Sequence, residues 1–304
     1  MCTGDRDVVG APPAFDKTRV AVLGASGYTG CEITRLLAVH PELTISAMTA
    51  ERSAGLDYPA VFPHLGGLDL PKMTKTDEVD WSNVDAVFCC LPHGTTQEII
   101  SGLPGEMPVV DLSADFRLRD VNVYEEWYGA PHTAPKLQKK AVYGLTEINR
   151  DNIQGARLVA NPGCYPTSIQ LPLVPLLEGG LISPEDIIID AKSGVSGAGR
   201  GNKQAFLYTE VAEGLHSYGV TRHRHMPEIE QGLSDAIDAE VRVSFTPHLM
   251  PMSRGMQSTM YVKLSGSIKV EDLRESLKLR FEHERFVRVL DEGQVPHTRH
   301  TGDP

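Results

Sequence analysis

The chain lacks any apolar run long enough to cross a bilayer. Its first residues have neither the apolar core of a secretory signal nor the basic, Ser-rich make-up of a transit peptide. It has no surplus of positive charge: 29 Lys and Arg stand against 40 Asp and Glu, a net charge of −11. That balance excludes a nucleic-acid-binding or membrane-binding surface as the expected role, and anionic ligands must be held by local basic groups. Cysteine is scarce too. The five are Cys2, Cys31, Cys89, Cys90 and Cys164, an odd number with two adjacent in an apolar stretch. Such a set is no disulfide framework and points to reduced thiols in a reducing compartment. Internal repeats and low-complexity segments are absent. What remains is an ordinary globular composition over 304 residues, enough for two domains.

The most informative stretch present is Asn161-Pro162-Gly163-Cys164-Tyr165-Pro166-Thr167. Arg157 to Ala160 before it reads as a short strand, and Ser168 to Leu177 after it as an apolar helix with Pro166 in its first turn. Cys164 then sits at a strand-to-helix elbow. Free N–H groups and the positive end of the helix favour an anion there, so a lowered thiol pKa and a nucleophilic role are expected. A buried structural cysteine is the alternative.

Residues 1–17 read as a loose polar lead-in. Arg19 to Leu23 is a buried strand, Gly24-Ala25-Ser26-Gly27-Tyr28-Thr29-Gly30 a glycine loop, and Cys31 to Val39 a helix, followed by a strand over Leu43 to Met48. Strand, glycine loop, helix and strand make a dinucleotide-binding signal, with the pyrophosphate expected at the helix N-terminus. After the second strand comes Glu51-Arg52-Ser53. Arg52 and Ser53 suit a ribose 2′-phosphate, which favours NADP over NAD, with Glu51 as the counter-indication. Val84 to Leu91 is a further strand, and Leu91-Pro92-His93-Gly94 at its end is expected to touch the cofactor. Val109 to Leu112 continues the alternation into Asp115-Phe116-Arg117-Leu118-Arg119. There Arg117 either meets an anionic substrate, or Asp115 forms a structural pair with Arg117 or Arg119. Residues 121–150 read as an aromatic, loop-rich excursion.

Beyond the elbow the pattern changes. Ile187 to Lys192 is a strand, and Ser193 to Gly201 is either a nest of N–H donors for phosphate or carboxylate, ending in Arg200, or a flexible linker. Lys203 to Gly214 reads as a helix. His223-Arg224-His225-Met226-Pro227-Glu228 precedes and opens a helix over 227–238 and suggests acid–base chemistry beside an anion site. Two histidines and one cysteine fall short of a zinc site, so no metal is expected. Strands over 241–246 and 258–264 alternate, as in an antiparallel sheet with one exposed face, and 271–285 is an amphipathic helix. The fold class expected is an α/β Rossmann-type doubly wound parallel sheet, residues 18–163. An α+β domain with a mixed or antiparallel sheet follows over 164–304.

These motifs resemble the N-acetyl-γ-glutamyl-phosphate reductases, relatives of aspartate-semialdehyde dehydrogenase. The likeness runs from about residue 18 to about residue 300. It rests on Gly24 to Gly30, Leu91 to Gly94, Asp111 to Arg117, Asn161 to Thr167, Lys192 to Arg200 and His223 to Ile229. The resemblance implies NADPH-dependent reduction of an acyl phosphate to a semialdehyde through a thioester on Cys164. It implies His225 as the acid–base group, with His223 second and Glu228 beside them. Cofactor contacts are implied for Gly24, Ser26, Gly27, Tyr28, Thr29, Gly30, Arg52, Ser53, Leu91, Pro92, His93, Ser193 and Gly194. Substrate contacts are implied for Arg117, Asn161, Ser196, Gly197 and Arg200. It also implies a small-molecule substrate and a homo-oligomer, dimer or tetramer. Family members carry further strands and a glycine-rich C-terminal helix beyond the point matching Pro304. Phe88 to Gln97 resembles the plant form, which implies the plastid stroma, or the cytoplasm outside plants. The alternatives are a related reductase acting on aspartyl phosphate, and a non-catalytic NADP-binding protein. On the cofactor reading, Arg52→Ala weakens NADP binding much more than NAD binding when both are titrated; equal loss would show that Arg52 does not read the 2′-phosphate.

Overall fold

The computed structural model describes residues 17–202 and 204–301. Cys2 and almost all of the expected lead-in lie outside the described residues. The chain opens with β1 (Thr18–Leu23), α1 (Tyr28–Ala38) and β2 (Leu43–Thr49). It continues through β3 (Met73–Thr74), β4 (Ala86–Cys89), α2 (Thr96–Ser101), β5 (Val109–Asp111), α3 (Val121–Tyr128), α4 (Pro135–Gln138), β6 (Ala141–Tyr143), α5 (Thr146–Ile153) and β7 (Leu158–Ala160). These strands form one seven-stranded sheet in the order β3-β2-β1-β4-β5-β7-β6. Every pairing is parallel. A parallel sheet covered on both faces needs strands apolar on both sides. Val20, Ala21, Val22 and Leu23 of β1 meet that need, and all four are buried. Separate apolar clusters fill the two faces, one around Val22, Met48 and Tyr58, the other around Leu23, Val87 and Ile100. The strand order turns back between β1 and β4, which opens a crevice at their C-terminal ends.

The rest of the chain supplies α6 (Cys164–Glu178), β8 (Ile187–Gly194), α7 (Tyr208–Val211), β9 (His216–Ser217), α8 (Met226–Ile237), β10 (Val243–Met250), β11 (Met256–Tyr261) and α9 (Val270–Arg280). The second sheet has the order β11-β8-β10-β9. β8 and β10 run parallel, while β11 and β9 join antiparallel, so the sheet is mixed. Its inner residues Ile187, Ile189, Ala191 and Phe245 pack with Ile169, Leu173 and Leu177 of α6 and Ile229 and Leu233 of α8.

Three local expectations are corrected. Residues 121–150 carry the helices α3 and α4, the edge strand β6 and the start of α5, not a loop. Asp120 caps α3 by accepting from Asn122 N, and Gly129 closes it in the left-handed conformation. The helix expected over Lys203 to Gly214 shrinks to a turn at Gln204–Phe206 and the single-turn α7, with Lys203 outside the described residues. The strand expected to end at Thr246 runs through Pro247 to Met250. Pro247 is tolerated because it lacks only an N–H on the side of β9, where its carbonyl still accepts from Tyr218 N at 3.1 Å.

Helices α6 and α8 approach closely at Gly232, where a Cβ would overlap the Gln170 amide. Gln170 cannot swing aside freely, because it is buried and its Nε2 donates to the Glu228 carbonyl at 2.8 Å. Gly232→Ala is therefore expected to cost about 1–3 kcal/mol of stability. Chemical denaturation checks this, and an unchanged midpoint would show that the two helices part without strain.

Candidate active site

The elbow is built as the sequence pattern expects. Asn161 N donates to Asp111 O at 2.8 Å, carrying the chain out of the first sheet. Gly163 caps α6 with extended dihedrals, φ −67° and ψ 157°, and no side chain caps the helix. Cys164 occupies the first helical position and is exposed, while Pro162, Gly163, Tyr165 and Pro166 around it are buried.

A buried acid fixes this loop from behind. Glu228, only 1% exposed, accepts from Gly163 N at 2.8 Å and from Tyr143 OH at 2.9 Å. Arg117 faces it at 3.5 Å. Arg117 also donates Nε to Asn161 O at 2.8 Å and a terminal nitrogen to Leu112 O at 2.9 Å. Both side chains were expected to act on substrate, Glu228 in acid–base work and Arg117 on an anion. In the structure both charges are paired at the elbow, as burial requires. The alternative Asp115 pair does not form either. Asp115 accepts from Gly94 N, Thr96 and Tyr124 OH.

The two histidines gather at the same loop. His225 lies against Gly163 so closely that a Cβ there would stand 2.6 Å from its Nε2. Only glycine fits at that position. His223 accepts from His225 N through Nδ1 at 3.1 Å, and its ring meets Tyr165, Tyr218 and Phe245 edge-on. Burial pushes both imidazoles down to about 3, helped at His225 by Arg117 and Arg224, and at His223 by His225 and Arg224. His225 Nδ1 is buried and has no hydrogen-bond partner among the described residues.

The expected lowering of the Cys164 pKa is overturned. Desolvation by the packed surroundings pushes the thiol up, and it outweighs the Tyr165 N–H and the Arg117 charge that pull it down. Although solvent reaches the residue, the dense protein around it decides the sign. Burial thus favours the uncharged form of both groups, the thiol of Cys164 and the imidazole of His225.

The glycine loop fits a dinucleotide. A Cβ on Gly24 (φ +78°) would come within 2.7 Å of Cys90 O, and one on Gly30 within 2.5 Å of Gly24 O. Gly24 N and Ala25 N are tied to Thr49 at the end of β2. Gly27 caps α1 without a side chain, and no acid lies in its first turn. The helix N-terminus beside Ser26, Tyr28 and Thr29 is thus open to an anion. Exposed Arg52 and half-buried Ser53 follow β2. Leu91 packs against the Gly24 position, and Pro92 O accepts from Thr95. Among the described residues no group of three or more His, Cys, Asp or Glu is gathered to hold a metal.

At the segment read as a nest or a linker, three N–H groups already have partners. The N–H groups of Gly194, Val195 and Ser196 donate to Gly255 O, Met252 O and Ser253 O. Gly194 is needed for this approach, since a Cβ would sit 2.9 Å from Ser253 O. Ser193 is buried with its hydroxyl donating to Gly194 O, and Gly197 is exposed. Arg200 turns away from the elbow. It donates to Ser26 O at 3.2 Å and covers the Phe62 ring at 4.8 Å, on the cofactor side. Asn161 keeps its place beside Cys164 but turns its amide to Pro162 O. Arg224 was passed over as a site residue. It stands exposed between the two histidines, over Tyr128 and donating to His93 Nε2 at 2.7 Å. Its only sequence signal was its place in the His-Arg-His triplet.

Two family models match the chain. The one described as semialdehyde dehydrogenase, NAD binding domain, matches residues 19–156, and the one described as semialdehyde dehydrogenase, dimerisation domain, matches 164–303. A probable N-acetyl-gamma-glutamyl-phosphate reductase, chloroplastic, of Oryza sativa is 64% identical over 94% of this chain and 69% of its own length. Its Arabidopsis thaliana counterpart is 65% identical over 92% and 70%. The N-acetyl-gamma-glutamyl-phosphate reductase of Rhodospirillum rubrum is 59% identical over 94% and 82%. Among solved structures, the aspartate semialdehyde dehydrogenase with NADP from Candida albicans covers 86% of this chain and 76% of its own. It has a TM-score of 0.65 and 18% identity, a likeness of fold.

The imidazoles give a pH signature. Their folded pKa of about 3 lies below the ordinary value near 6.5, so the unfolded chain binds more protons between these pH values. Stability from this source is full above about pH 6.5 and falls as pH drops toward 3. His225→Asn is expected to flatten the slope of denaturation free energy over that window. An unchanged slope would mean that His225 is not held neutral.

Proposed function

The chain belongs to the N-acetyl-γ-glutamyl-phosphate reductase family of semialdehyde dehydrogenases, and we propose that it reduces N-acetyl-γ-glutamyl phosphate to N-acetyl-glutamate 5-semialdehyde with release of phosphate. This is a step of arginine biosynthesis. The observation that carries the reading is the placement of Cys164 at the open start of α6, next in the chain to Gly163, on which the His225 ring packs. A cysteine beside a base at a helix N-terminus is a nucleophile for acyl transfer.

The cofactor is NADP(H). Gly24, Gly27 and Gly30 leave room for its pyrophosphate at the α1 N-terminus, and Arg52 and Ser53 would hold the 2′-phosphate. NADPH, when bound, supplies the hydride that reduces the thioester. The chain's own residues do the rest. Cys164 Sγ bonds to the acyl carbon, and the carbon–oxygen bond to phosphate breaks. His225 takes the thiol proton as the S–C bond forms and passes it to the departing phosphate. The Gly163-Cys164 turn and the first N–H groups of α6 face the oxygen on which charge develops. After reduction the C–S bond breaks, the aldehyde leaves, and a proton from solvent, relayed by the same imidazole, restores the thiol. Glu228 and Arg117 act through the elbow they hold and are positioning residues.

The match to a dimerisation domain supports a homo-oligomer, dimer or tetramer. The chloroplastic names of the two plant relatives support the plastid stroma as its site of action in a plant.

Incubation with the acyl phosphate and no NADPH should leave an acyl adduct on Cys164, read by mass spectrometry. Cys164→Ser should lower turnover at least about 10³-fold while NADP still binds. A serine variant that reduces the acyl phosphate at the wild-type rate would end this reading, and preferred turnover of aspartyl phosphate would move the chain to the related reaction.

A further inference from the structure

An acyl phosphate of an N-acylated amino acid brings at least two oxyanions, a carboxylate and a phosphate. The chain carries a net charge of −11, so it must meet them with local cations. The basic side chains around the cleft can be taken in turn. Arg117 is buried and engaged by two carbonyls and Glu228. Arg119 forms a two-pronged pair with Asp235, 2.5 Å at each prong. Arg200 is directed to Ser26 O and Phe62. Arg254 pairs with Glu32 in α1. Arg222 leans on Trp127 and Glu126.

Arg224 differs from all of these. Its described contacts are the Tyr128 ring face at 5.5 Å and His93, and neither is a carboxylate. Among the described residues no Asp or Glu lies within ion-pair distance of it. It is exposed, yet it comes from the same triplet as His223 and His225, and its charge reaches both imidazoles. The cation–π contact steadies the guanidinium, whose planar fork matches a two-oxygen anion. His93 belongs to the loop after β4, so the Arg224–His93 contact joins that loop to the loop that carries the two histidines.

We propose that Arg224 receives an oxyanion of the substrate, its carboxylate or its phosphate, exchanging the His93 contact for a forked ion pair. The inference rests on the reductase reading above and gives that site a substrate-binding residue. The reverse reaction separates the two sources, because semialdehyde, phosphate and NADP are varied independently. Arg224→Met should raise the KM for the semialdehyde or for phosphate about 10- to 100-fold. The KM for NADP and the melting temperature should stay as in wild type, and Arg224→Lys should recover part of the loss. A rise for the semialdehyde assigns the carboxylate, and a rise for phosphate assigns the phosphate. Unchanged values for both, or a loss spread equally over NADP and stability, overturn the proposal. A wild-type chain without turnover would tell against the reductase reading instead. The inference is then read from protection of Cys164 against iodoacetamide by N-acetylglutamate or inorganic phosphate. Protection in wild type that is lost in Arg224→Met supports it; no protection, or equal protection in both, overturns it.

Discussion

One carboxylate holds the site together. Glu228 reaches from the first turn of α8 to the N–H of Gly163, the hydroxyl of Tyr143 and the guanidinium of Arg117. Those partners come from the elbow, from β6 and from the loop after β5. Removing either member of a buried, hydrogen-bonded pair leaves an uncompensated charge and typically costs about 3–5 kcal/mol. The elbow's geometry, the placement of Cys164 and the seat of His225 on Gly163 all depend on this anchor. The second helix–helix contact reinforces it, since Gln170 of α6 donates to the Glu228 carbonyl.

Much of the fold was legible because its signals are local. The apolar run before Gly24 and the glycines after it specify a strand, a tight turn and a helix within a few residues. The close approaches at Gly24 and Gly30 give the physical reason that no other residue serves there. Cys164 was legible for a similar reason, since Pro162, Gly163 and Pro166 mark a turn and a helix start at the level of three neighbours. The mixed second sheet was partly legible. Alternation told of one buried face, but the parallel pairing of β10 with β8 brings together segments separated by a whole helix and loop.

What the sequence concealed was set by tertiary contacts. The Ser193 to Gly201 segment has the composition of an anion nest, yet carbonyls of Met252, Ser253 and Gly255 take three of its donors, and nothing near Ser193 announces that partner. The thiol shift of Cys164 was expected with the opposite sign. A helix terminus is visible in sequence and favours the thiolate, whereas the desolvation that wins comes from the whole surrounding shell. Arg117 and Arg224 look alike in composition. Only burial separates an arginine that braces the backbone from one that faces solvent.

Three contacts that join the two halves of the chain share one property. Arg254, Arg224 and Arg119 reach from exposed positions to the half-buried Glu32, to His93 and to Asp235. Exposed ion pairs such as Arg254–Glu32 and Arg119–Asp235 contribute only about 0–1 kcal/mol each and weaken as salt rises. Contacts of this kind fasten the two halves only lightly at the surface, while the buried anchor at Glu228 ties the Gly163 turn, and with it Cys164, to α8.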